Sequence, residues 1–101
     1  MEKNDLASSY FNKSFLFYQK LPISRELANY YDGLAQIAYT QNLFQVQRDL
    51  YDKSLEIRKN LHIDYDTDYA QVLTNKAMAY QKQGDYQQAD SLYQQSFTLL
   101  I

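Results

Sequence analysis

The chain has 101 residues, a formal net charge of −2, two glycines, one proline and no cysteine. Absence of cysteine rules out disulfides, thiolate metal sites and cysteine nucleophiles. The near-neutral charge leaves no basic stripe for a phosphate backbone, and no apolar run approaches the length that spans a bilayer, so neither nucleic acid nor a membrane span is expected.

So few turn-formers in a chain of ordinary apolar content favour long helices over many short strands. In chain order, the apolar spacing predicts helices over 4–20, 25–41, 44–61, 67–83 and 86–101. Pro22 stops the first, and Ser24 caps the second, with Glu26 in its first turn. The second helix has an apolar face of Leu27, Tyr31, Leu34, Ala35 and Ala38. Asn42 separates it from the third and suits the left-handed conformation. Phe44, Gln47, Leu50, Tyr51, Ser54 and Leu55 form the third helix's inner stripe. Asp64, Asp66 and Asp68 crowd the start of the fourth, where acids offset the helix dipole. That helix turns Leu73, Ala77 and Tyr80 inward and ends at Gly84. Asp85 then caps the fifth, with Gln88 three residues on.

Three stretches resemble one another: ASSYFNKSF from Ala7, QRDLYDKSL from Gln47 and ADSLYQQSF from Ala89. Their anchors, Phe11, Tyr51 and Tyr93, stand 40 and 42 residues apart. A period in this range marks stacked supersecondary units. Within the last unit, Leu73, Ala77, Tyr80, Gly84, Tyr86, Ala89, Tyr93 and Ser96 follow the pattern of the tetratricopeptide repeat. The longer linker before it resembles the extended kinesin-light-chain type. Ala28 to Arg58 is a weaker copy. Gln47 replaces a usual Ala and Lys76 a usual Leu, so the middle repeat is expected to be the looser one.

The resemblance implies an all-α, tetratricopeptide-like α-solenoid of antiparallel helix hairpins, about two and a half repeats in five helices. The whole chain, 1–101, forms a single domain: 4–20 is the second helix of a partial repeat, followed by repeats at 25–61 and 67–101. Ala77 and Ala89 let the helices of a hairpin approach, and Tyr80, Tyr86 and Tyr93 fill the seam. The implied function is a protein–protein interaction module that holds a peptide or protein in a concave helical groove, within a larger scaffold or signalling protein. Asn29, Asp32, Gln36 and Tyr39 from one helix, and Gln71, Thr74, Asn75, Met78 and Lys82 from another, would line it. Asn75 matches the groove asparagine of peptide-binding members. Amides suit the backbone of an extended peptide, which needs both donors and acceptors.

Other chemistry finds little support. Asp64, Asp66 and Asp68 imitate a calcium loop, but the required Gly and Glu are replaced by Tyr69 and Asn75, so no metal is expected. His62, the lone histidine, lacks a positioned nucleophile and reads as a solvated turn residue. No enzyme activity and no cofactor are expected. The cytoplasm is the expected compartment. The chain begins at the second helix of one repeat and stops in an apolar run, which suggests an excised piece or self-association through the terminal helices. A structural spacer, or a regulatory arm of an enzyme or sensor kinase outside this chain, are the alternative functions.

Overall fold

The computed structural model describes Ser9, Lys13, Ser14 and residues 16–100. Among the described residues four long helices follow one another: α1 (Arg25–Thr40), α2 (Phe44–Asn60), α3 (Thr67–Lys82) and α4 (Tyr86–Leu100). The first three end one residue before the expected boundary, and α4 runs to the last described residue. Residues 16–19 are also helical, and the rest of the expected 4–20 helix lies mostly outside the described residues. No strand occurs among the described residues.

The helix starts are fixed by side chains that accept orphan backbone N–H groups. Ser24 Oγ accepts from Leu27 N at 3.0 Å, and Asp66 Oδ1 from Tyr69 N at 2.9 Å. Asp85 Oδ1 accepts more weakly from Gln88 N at 3.3 Å. Asp66 and Asp68 also pair with Arg25 at 3.1 and 3.0 Å, so these acids belong to the helix start.

The three turns between helices are one motif written with three different residues. Asn42, His62 and Gly84 are left-handed, with φ of 60°, 60° and 83°. In each turn the following residue donates back across the helix end at 2.9 Å: Leu43 N to Ala38 O, Ile63 N to Arg58 O, Asp85 N to Tyr80 O. The left-handed residue itself donates to Tyr39 O, Lys59 O or Gln81 O at 3.0 Å. This is the Schellman arrangement, which satisfies carbonyls that a helix end leaves open. His62 is therefore a helix terminator, a backbone role beyond that of a solvated turn residue.

The helices form two antiparallel hairpins, α1/α2 and α3/α4, with α2 packed against α3. The result is a slab of 44 × 35 × 15 Å. All five apolar positions expected on α1 are buried. Ala77 and Ala89 are buried at the close α3–α4 seam, with Leu73 and Leu92 beside them. The hydrophobic effect supplies the association, and the small residues set its distance. Tyr18 from the preceding helical turn stacks on Tyr30 and meets Tyr31 edge-on, which ties residues 16–19 to α1. Tyr86 departs from its expected place in the seam and is 67% exposed. It is the first residue of α4, at the outer end of the hairpin.

Candidate groove and its polar floor

Helices α1 and α3 run in the same direction, and α2 packs on both. Side chains bridge α1 and α3 at the two ends. At the N-terminal end Arg25 joins Asp66 and Asp68. At the C-terminal end Lys82 Nζ lies 5.8 Å from the centre of the Tyr39 ring, a cation–π contact across the gap. We call the surface between α1 and α3, with α2 beneath it, the trough; the α2 side chains under it are buried.

The expected wall residues fall into three groups. Gln36, Gln71, Met78 and Lys82 are exposed. Asn75 is half-buried: its Oδ1 accepts from Gln71 Nε2 at 3.0 Å. Tyr39 is also half-buried and packs edge-on against Phe44. Asn29 and Asp32 are engaged by a residue that the sequence pattern did not single out, Arg58. Thr74 is directed elsewhere, because its hydroxyl bonds Ser96 on α4 at 2.7 Å. Ser96 is fixed there by donating to Ala70 O at 2.9 Å.

Arg58 is 1% exposed. Its Nη2 donates to Asn29 Oδ1 at 2.8 Å and to Asp32 Oδ2 at 2.9 Å, and its Nε donates to Ser54 Oγ at 3.2 Å. An arginine is the cation suited to such a place, because its planar fork can serve several acceptors at once. Burial pushes the Asp32 carboxyl above its usual range. Ser54 and Arg58 only partly counter this, and the nearby Asp68 adds to it.

Gln47, Tyr51, Ser54 and Arg58 follow one another at helical spacing of three and four, so they form one stripe of α2. All four are buried. The Tyr51 hydroxyl lies beside the Gln47 and Asn75 amides, but reaches hydrogen-bond geometry with neither. Burial chiefly raises its pKa, with Asp32 contributing. Gln47 Oε1, Tyr51 Oη, Arg58 Nη1 and Asp32 Oδ1 are buried without a hydrogen-bond partner.

Charged side chains of the hairpins also cross-link outside the trough. Lys76, which stands where a Leu is usual, pairs its ammonium with Asp52. Arg48 stacks on Tyr80 at 4.5 Å. Among the described residues no group of His, Cys, Asp or Glu is placed to hold a metal ion. No helix among them is long and apolar enough to cross a membrane.

Antiparallel hairpins stacked with their first helices side by side over a shared trough define a helical-repeat protein of the solenoid class. A tetratricopeptide repeat model matches residues 48–101, just over half of the sequence. The chain belongs to the tetratricopeptide repeat family. Repeats of this family generally mediate protein–protein interaction and are typically not catalytic. No curated protein matches the chain.

Proposed function

We propose that the trough between α1 and α3 holds an extended segment of a protein partner, and that the chain serves as the binding module of a larger scaffold or signalling protein. The repeats at 25–61 and 67–101 are the units that build it. What supports this reading is the amide content of the two helices, with Asn29 and Gln36 on α1 and Gln71 and Asn75 on α3. An extended segment has alternating donors and acceptors, and side-chain amides offer both. Met78, exposed at one end beside Lys82, adds an adaptable apolar contact.

Asn75→Ala tests it. The substitution removes an amide whose bond to Gln71 is exposed, so stability should change by less than about 1 kcal/mol. Affinity for a linear peptide selected from a displayed random library should fall by about 1–2 kcal/mol, measured by calorimetric titration. Unchanged affinity would place the partner on another surface. Collapse of the fold would assign Asn75 to the core.

A second reading is favoured by one observation: Phe97 on α4 is 68% exposed. The equivalent position of α2, Leu55, is buried. Self-association over the α4 face would cover Phe97. Light scattering on a size-exclusion column tests this, and a strict monomer at high concentration would exclude it.

A further inference from the structure

The junction between hairpins is built once inside the chain, where α2 meets α3. There Asp52 pairs with Lys76, Arg48 stacks on Tyr80, and Leu55 shares a cleft with Tyr69 and Leu73. Val72 and Ala79, at helical spacing from Lys76, are buried on the same side of α3.

Positions 42 residues apart are equivalent in the two hairpins, as the left-handed corners at Asn42 and Gly84 show. Carried forward by that step, the α2 side of the junction falls on α4, and Leu55 becomes Phe97. Carried back, the α3 side falls on α1: Tyr69 becomes Leu27, Val72 becomes Tyr30 and Ala79 becomes Ile37. Leu55, Val72 and Ala79 are buried, whereas Phe97, Tyr30 and Ile37 are 68%, 59% and 48% exposed. The two sides of the molecule thus show the two halves of a junction that its middle already contains. Residues 16–19 cover part of the α1 half, with Tyr18 on Tyr30. Beside them an apolar cleft of about 310 Å³ stays open, lined chiefly by Leu21, Pro22, Ile23, Leu27 and Tyr30.

Charge does not oppose a meeting of the halves. Asp52 and Lys76 become Gln94 and Leu34, so neither partner of an ion pair is stranded. Asp90, in the place of Arg48, is the only charged side chain of α4. The apolar surface left open on each half is on the order of a few hundred Å², below the roughly 800 Å² per partner of a stable complex. It fits a weak junction that forms at high concentration.

We propose that copies of this chain join head to tail, with Phe97 of one copy seated in the Leu21–Tyr30 cleft of the next. This rests on the reading that α4 mediates self-association, and adds that its partner is the α1 side of another copy and not a second α4. Such an interface is heterologous. Every assembly keeps one free half at each end, so association does not stop at a dimer.

Sedimentation equilibrium on the full chain tests it, from about 10 µM to about 1 mM, where so small an interface operates. The mean mass should climb past that of a dimer. Phe97→Glu and Ile23→Glu each put a charge on one half of the junction, and each alone should be monomeric. Mixed in equal amounts they should form a dimer and nothing larger. The Phe97→Glu copy keeps its cleft, and the Ile23→Glu copy keeps its phenylalanine. Leu21→Glu replaces Ile23→Glu if that variant melts more than about 5 °C below the parent. A cleft variant that associates as the parent does would overturn the head-to-tail arrangement and leave α4 paired with α4. A parent that stops at a dimer, or a mixture that stays monomeric, would overturn it as well. A parent that is monomeric throughout, or a Phe97→Glu variant that associates as the parent does, would overturn both readings.

Discussion

Replacing Arg58 by Met isolates the energetics of the buried network. Methionine retains much of the arginine stem's bulk but removes the guanidinium, and with it three bonds, to Ser54, Asn29 and Asp32. The large consequence is at Asp32, whose carboxylate stays behind without its cation. Stripping one partner from a fully buried pair costs about 3–5 kcal/mol. Asp32 keeps 23% of its side-chain surface in solvent, which lowers the expectation to about 2–3 kcal/mol. For a domain of this size that is a melting shift of about 10–20 °C. The deficit should also depend on pH. The Asp32 carboxyl titrates above its ordinary value in the folded protein, and loss of Arg58 raises it further. A carboxyl raised on folding favours the folded state below its unfolded pKa, and that advantage is lost as pH rises through the folded pKa. Acidification from pH 7 towards pH 4 should therefore shrink the difference between variant and parent. Asp32→Asn in the same background should recover part of the loss at pH 7. Urea titrations across that range measure all of this. A deficit below about 1 kcal/mol at pH 7, or one that ignores pH, would refute the account of Arg58 as the neutraliser of a desolvated carboxylate.

Ala77→Leu puts bulk into a fully buried seam and should cost about 1–3 kcal/mol in the same titration. Asp66→Ala removes the α3 cap and a partner of Arg25, for about 1 kcal/mol at neutral pH. Burial alone would raise the Asp66 carboxyl, but the Tyr69 N–H and Arg25 outweigh it and hold it below its ordinary value. Its contribution is thus present above that value and vanishes as pH falls through the lower folded pKa, where parent and variant should converge. His62→Gly relieves a left-handed backbone and should stabilise by about 0.5–1 kcal/mol, read from thermal melts.

The fold was legible because its determinants are local. Ser24 and Asp66 sit immediately before apolar periodicity, and each caps the helix expected there. The alanines at 77 and 89 mark the hairpin seam because only a small side chain permits that approach. The trough floor was hidden because its burial is produced jointly. Arg58 near a helix end reads as a solvated cation, and only α1 crossing above it converts it to a buried one. Gln47 read as a weak point in a repeat pattern. One signal was present: Gln47, Tyr51, Ser54 and Arg58 share a stripe that continues the apolar face. Thr74 was ambiguous for a geometric reason, since its side of α3 borders both the trough and Ser96 of α4.

The three Schellman turns bear on how such an array changes length. Asparagine, histidine and glycine end their helices with the same pair of backbone bonds, so the corner at which each helix stops is specified by main-chain geometry. A hairpin that enters and leaves through this corner is interchangeable with its neighbours as a mechanical part. Duplication of a segment running from one corner to the next equivalent one would add a unit without bending the chain into a new path. The side chains of that unit would then be free to diverge, since the direction of the chain does not depend on them. Growth by whole units, with partner specificity altered afterwards along the trough, is the evolutionary route this geometry makes easy.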